Sequence, residues 1–307
     1  MTRFLARRFI TSVLVLWGVS VFTFLMLHLV PGDPVHALAG KQISSPEKLE
    51  QMRQELGLDK PLPVQYADYL QKIFHGDFGT SLKNKRPVLA VIGEQFPATF
   101  KLTVAALTFS TIFGLIFGGI GAFNHRAAVD EVLSVFSIIG ISIPPFFLAL
   151  LLILIFSIRL NWLPSTAKTS DPRSIILPAL TLGIGEAAWL ARLVRSSILD
   201  EMDKNYQWTA RAKGVRESVV LWRHILRNSM IPIITAVGLQ FVYLMAGSVL
   251  VESIFARQGI GRLALTAIQN RDFPLVQGTV TVISLIYVAV NTLTDILYAA
   301  VDPRVRL

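Results

Sequence analysis

The sequence predicts an all-α integral membrane protein with six transmembrane helices and both termini cytoplasmic. Three observations lead there. Of 307 residues, 53% are hydrophobic and only 16% are charged, with a mean hydropathy of +0.57, too apolar for the surface of an ordinary soluble protein. Six segments approach the roughly 20 apolar residues that a spanning helix needs: 9–30, 98–123, 132–158, 175–194, 232–251 and 276–301. Lipid cannot satisfy unpaired backbone groups, so these spans are expected to be helices, and the alternating pattern of a membrane barrel is missing. The third observation is the placement of charge. An even number of spans puts both termini on one side. Arg3, Arg7, Arg8, Arg126, the eight basic residues from Arg192 to Arg227, Arg304 and Arg306 would then lie inside, against Arg159, Lys168, Arg173, Arg257, Arg262 and Arg271 in two short outer loops.

Composition also excludes function classes. A net charge of +9 would suit nucleic acid, but the basic residues are spread through loops flanking apolar runs and carry no zinc-finger, RNA-binding or helix-turn-helix signature, so no nucleic-acid partner is expected. With no cysteine there are no disulfides, thiolate metal sites or Cys nucleophile. The histidines His28, His36, His75, His125 and His224 are scattered and show no H-E-x-x-H spacing, which argues against a metal enzyme.

Taken in order, Arg3, Arg7 and Arg8 precede the first span, and Ala37-Leu38-Ala39 offers a competing reading as a signal-peptide cleavage site. A run of about 22 apolar residues exceeds the usual 7–15 of a signal-peptide core, so an uncleaved span is expected. The stretch 31–97 balances eight basic against eight acidic residues and is expected to form a small extracytoplasmic cap. One helix is expected over 46–56, capped by Ser44 or Ser45, and another over 64–74 with Tyr66, Tyr69, Leu70 and Phe74 near one face. Residues 98–307 form the transmembrane core. In its third span Pro144-Pro145 is expected to break or kink the helix, each proline removing a backbone donor.

Between spans four and five, residues 195–231 read as a coupling segment. Charged residues there interleave with Ile198, Leu199, Tyr206, Trp208, Val219 and Leu221, an amphipathic pattern suited to a cytoplasmic partner, with a membrane-surface helix as the alternative. A helix is expected to end near Lys213, turn at Gly214 and resume over 217–228. Polar residues inside spans are expensive and count as site candidates. His28, Glu186, Gln240, Asn291 and Asp295 qualify, with Glu186, Gln240 and Asn291 taken as possible pathway residues. Glu186, beside Gly183 and Gly185, could instead pair with Arg192 or pack against another helix. No G-x-x-x-x-G-K-[ST] phosphate loop occurs; the nearest fragment, Gly40-Lys41, continues with Gln42, so no ATP site is expected in this chain.

The wording of the chain resembles the first-permease type of the dipeptide, oligopeptide and nickel ABC importer family from Arg3 to Arg306. The resemblance rests on an ordered series: Pro31-Gly32-Asp33-Pro34, Gly76-Asp77-Phe78-Gly79-Thr80-Ser81, Ile176-Leu177-Pro178-Ala179-Leu180-Thr181-Leu182-Gly183, Thr209-Ala210-Arg211-Ala212-Lys213-Gly214, Leu226-Arg227-Asn228, Arg271-Asp272-Phe273-Pro274 and Asp302-Pro303-Arg304. It implies a type I ABC importer permease fold. Tyr206, Thr209, Ala210, Arg211, Ala212, Lys213, Gly214, His224, Arg227, Asn228 and Pro232 would form the ATPase-coupling segment. Trp208 and Thr209 stand where the general loop pattern has Glu and Ala, the interval from Gly214 to Pro232 is of the longer, peptide-subfamily type, and Gln258 stands where many relatives have proline.

The resemblance further implies a second homologous permease, two ATP-binding subunits that hold ATP and Mg, and an extracytoplasmic substrate-binding protein, all acting by alternating access in a bacterial or archaeal inner membrane. Di- or oligopeptides are the expected cargo, with glutathione and nickel or another metal chelate as alternatives. A channel or secondary transporter would also have six spans, but neither a pore loop nor an inverted repeat is found.

Overall fold

The structure, a computed structural model, describes residues 2–29, 46–55, 59–166 and 171–301. The possible caps Ser44 and Ser45, Ala37 to Ala39, Gly40-Lys41, the motifs at 31–34 and 302–304, and the side chains of His28 and Asp295 lie outside the described residues. The described residues are helical and hold no strand beyond an isolated bridge between Thr80 and Pro87. We number the helices α1 (Thr2–Leu29), α2 (Pro46–Glu55), α3 (Leu62–Phe74), α4 (Val88–Phe123), α5 (Ala128–Ser142), α6 (Pro145–Leu152), α7 (Ile176–Met202), α8 (Asn205–Ala212), α9 (Arg227–Ile254), α10 (Ile260–Gln269) and α11 (Phe273–Val301).

Five helical stretches are long and apolar enough to cross a membrane, or six if one bent pair counts as a span. Spans one, two, four, five and six appear where the apolar runs predict them, with longer ends. In span three, of the break or kink expected at Pro144-Pro145, the structure has the break: a pair, Ala128–Ser142 and Pro145–Arg159, bent by 103°. Pro144 drives Ile143 out of the helical region, to ψ 120, and Pro145 starts a new helix where its missing N–H costs nothing. At about 1.5 Å per residue, each 15-residue arm reaches only about 22 Å, short of the roughly 30 Å hydrocarbon core.

The chain divides into two compact units, one holding Met1–Pro97 with Gly259–Ala289 and the other holding Ala98–Gln258 with Val290–Leu307. In the first unit the cap helix α3 docks on α1. Tyr66 and Tyr69 put their hydroxyls on Ser20 (2.7 Å) and Thr23 (3.0 Å), and their rings flank Phe24 at 5.4 and 5.7 Å. These polar contacts sit on an otherwise apolar helix because each hydroxyl finds a partner. Phe74 does not share this face and is 84% exposed. Five residues past Tyr69, it lies about 140° round the helix at 100° per residue. The unit's core gathers Val88, Val91, Ile92, Ile260, Ala267, Leu275 and Val276. Part of it comes from α10, an amphipathic helix that the apolar runs gave no reason to expect.

In the second unit α7 is the central rod and packs against α9, α5 and α6. One apolar cluster joins Leu102, Leu148, Leu152, Leu177, Leu182 and Leu244, and another joins Leu190, Val194, Ile198, Val220, Ile225 and Ile233. Small residues set the approach of α4 to α7: a methyl at Gly183 would stand 2.7 Å from the Phe109 ring and 3.1 Å from the Ala106 carbonyl. Membrane helices associate through such close backbone contact, since lipid supplies no hydrophobic drive between them.

Candidate functional site

The segment between α7 and α9 begins at Glu201, at the end of α7, where burial demands partners for a carboxylate. Its two oxygens take Lys204 Nζ and the Tyr206 hydroxyl. Tyr206 opens α8 and accepts a hydrogen bond from Asn228 Nδ2 at 2.9 Å, while His224 stands edge-on to its ring at 6.5 Å. One tyrosine thus joins the end of α7, the short helix α8 and the foot of α9. Burial first, and then the Glu201 carboxylate, push the Tyr206 hydroxyl above its ordinary pKa, so it stays a donor at neutral pH.

Helix α8 ends as its sequence predicts. Gly214 lies at φ +73, its N–H bonds to the Arg211 carbonyl (2.9 Å), and the Val215 N–H reaches back to the Ala210 carbonyl (3.2 Å). That pair of bonds is a Schellman motif, which favours glycine. Arg211 crosses the turn to Glu217, with Nη2 to Oε1 at 2.7 Å and Nε to Oε2 at 3.1 Å. Ala210 and Val215 pack against the lower apolar cluster, which seats α8 on α7 and α9. Trp208 and Trp222 are 67% and 70% exposed, and Thr209, Ala212, Lys213 and Arg227 are also exposed. The result is a rigid, partly aromatic, basic surface with no covering from the described residues.

The expected separate helix over 217–228 is corrected. A single helical turn, Glu217–Val219, opens into a wide turn, Val220–Leu226, and runs straight into α9, so the second half of the coupling segment is the foot of span five. Apolar continuity explains this: Val220 and Ile225 are buried against Leu190, Val194 and Ile198 of α7. Pro232 lies inside α9 and removes the N–H that would bond the Asn228 carbonyl four residues back.

The span candidates take different positions. Gln240 is buried; its Nε2 donates to the Glu186 carbonyl (2.8 Å) and its Oε1 accepts from Ser110 (3.5 Å), which stitches α9, α7 and α4 together. Glu186 is half-buried, and no ion pair with Arg192 occurs among the described residues. Asn291 is half-buried on α11.

Sequence reasoning missed three polar centres. Asp130, buried at the start of α5, takes Arg195 of α7 through two bonds (2.5 and 2.7 Å), His125 Nδ1 (3.2 Å) and the Arg126 N–H (3.3 Å). Glu252, fully buried near the end of α9, accepts from Thr99 at 2.5 Å. Asp272 accepts from Ser81 at 2.5 Å, which joins the Gly76-to-Ser81 and Arg271-to-Pro274 motifs. Their isolated acids at span ends were legible; the partners that reach them from other helices and loops, 65 to 191 residues away, were not. Among the described residues no cluster of three or more His, Cys, Asp or Glu could hold a metal ion.

Comparison with known proteins places this architecture. Residues 110–307 match the binding-protein-dependent transport system inner membrane component family, and residues 1–103 match the corresponding N-terminal family. The chain is 42% identical over 306 residues to the glutathione transport system permease protein GsiC of Pectobacterium atrosepticum and 40% identical to that of Escherichia coli K12, covering 100% of this chain and 99% of each relative. The fold is also similar to the MetNI methionine ABC transporter in an inward-facing conformation (TM-score 0.58, 19% identity, 70% of this chain and 97% of that one). An amino acid ABC transporter is similar too (TM-score 0.54, 19% identity, 70% and 94%). The chain belongs to the inner membrane components of binding-protein-dependent transport systems, as a type I ABC importer permease of the peptide and nickel family.

Proposed function

We propose that this chain forms half of the translocation pathway of an ATP-driven importer of short peptides, with glutathione as its first cargo to test. It works beside a second homologous permease, two ATP-binding subunits that hold ATP and Mg, and an extracytoplasmic binding protein, in a bacterial or archaeal plasma membrane with both its termini inside. The observation that carries the mechanism is the Glu201–Tyr206–Asn228 junction. A push on the exposed face of α8 reaches α7 and the foot of α9 through bonds rather than through a flexible loop. Rocking these rods would switch the pathway between outward and inward openings.

Glutathione takes first place because whole-length relatives at 40 to 42% identity are glutathione permeases. The experiment is uptake into proteoliposomes containing the full complex, with labelled glutathione, a dipeptide and a nickel chelate, each with its binding protein. Glutathione uptake that needs ATP inside and binding protein outside supports the reading; transport of the nickel chelate alone would replace the cargo.

A further inference from the structure

Within the second unit, α7 keeps one polar side open between two of its neighbours. On one flank α5 comes so close that a methyl at Gly140 would stand 3.0 Å from Ala188 Cβ. On the other flank Gln240 of α9 reaches the Glu186 carbonyl at 2.8 Å. Between these contacts Trp189 is 42% exposed, Arg192, Ser196 and Asp200 are exposed, and Glu186 is half-buried at the α9 edge. At 3.6 residues per turn, Glu186, Trp189 and Arg192 step round the helix by about 60° each, and Ser196 and Asp200 fall within the same arc. The stripe therefore runs from the interior of the span toward α8.

Hydrocarbon does not tolerate such a face. The exposed side chains of α5 and α6 include Val132, Phe136, Phe147 and Leu150, as a lipid contact requires. Glu186 follows the first residue of α7, Ile176, by about 15 Å of helix, near the middle of a core roughly 30 Å thick. A carboxylate at that depth faces protein or a watery cavity. Arg192, of opposite charge, shares the face, yet neither side chain forms an ion pair with a described residue. Trp189 stands between them, and six residues of helix separate the two charges by about 9 Å along the axis.

We infer that Glu186, Trp189 and Arg192 form a cargo-selecting site on the pathway face of α7. It takes a zwitterionic short peptide, with the ammonium on Glu186 beside the Trp189 ring and the carboxylate on Arg192. The inference rests on the importer reading and adds the residues that the cargo meets inside the membrane. A carboxylate next to an indole suits an ammonium, and a guanidinium grips a carboxylate through two parallel bonds. Length agrees as well, since an extended peptide of two or three residues reaches roughly 7–10 Å. A site on a pathway must also release what it binds, so its grip on the cargo is weak and its contribution is discrimination by charge at both ends.

The test is equilibrium dialysis of labelled glutathione against the complex of permeases and ATPases in lipid nanodiscs, with the binding protein left out so that it does not compete for ligand. The unaltered complex should bind glutathione saturably, and Glu186→Gln should weaken it about tenfold. N-acetylglutathione, which lacks the ammonium, should bind the original complex as weakly as glutathione binds the variant, and should be indifferent to Glu186→Gln. Arg192→Gln should weaken glutathione while leaving its sensitivity to acetylation intact. Absence of saturable binding, unchanged binding in Glu186→Gln, or equal losses for both ligands overturns the site. So does separation of the two permeases in Glu186→Gln with glutathione binding retained, which would make the face a subunit contact. The same complex in proteoliposomes, with binding protein added, is tested for uptake of glutathione and a dipeptide. Import of neither sinks the peptide reading and this site with it, whereas import without the acetylation effect sinks the site alone.

Discussion

Tyr206 shows how much one hydroxyl carries. It donates to Glu201 and accepts from Asn228, so Tyr206→Phe deletes both links and keeps the ring against His224. The complex should assemble with little change in thermal midpoint while uptake per ATP hydrolysed falls several-fold; unchanged coupling would show that the junction is only structural. Asp130 is the opposite case, a buried acid whose partners hold α5 to α7. Arg195→Ala strips two charge-assisted bonds and should destabilise the protein by about 2 kcal/mol, measured as a lowered unfolding midpoint in detergent. Gln207 is fully buried, and neither amide atom meets the geometry of a hydrogen bond with a described residue. An unpaired buried polar group costs about 1–3 kcal/mol, so Gln207→Met should raise the midpoint, and a fall would reveal a partner for the amide. The aromatic pattern in the cap showed Tyr66 and Tyr69 as a face, yet nothing in it pointed to Ser20 and Thr23, because that pairing joins helices 46 residues apart.

Among the elements, the turn after α8 was the most legible. Gly214 follows a basic, amphipathic helix in the place where a left-handed residue closes a Schellman motif, and the structure puts it at φ +73. No described residue lies within 4 Å of a methyl there, so Gly214→Ala pays only the backbone term, roughly 1–2 kcal/mol, and should leave a folded complex. Gly214→Pro cannot adopt this φ and should abolish ATPase stimulation; a fully stimulated proline variant would remove the turn from the coupling path. Two elements were legible only in part. Residues 217–228 have good helical pattern, but only their burial on α7 shows that they continue into α9. Pro144-Pro145 announces a disturbance, yet its size, 103°, depends on both arms finding apolar neighbours on α7.

For the whole molecule, hydropathy showed the helical membrane class because each span must satisfy its own backbone and is therefore written locally. The grouping of 259–289 with the first 97 residues was not written that way. It depends on Asp272 reaching Ser81 and on Gln277 Nε2 bonding the Thr23 carbonyl at 2.8 Å. The central claim is that force on α8 reaches the spans through Tyr206. The most direct measurement is ATPase activity of the reconstituted complex with and without glutathione-loaded binding protein, for the original chain and for Tyr206→Phe. The account predicts strong stimulation in the first and little in the second at similar complex stability. Equal stimulation in both would contradict it.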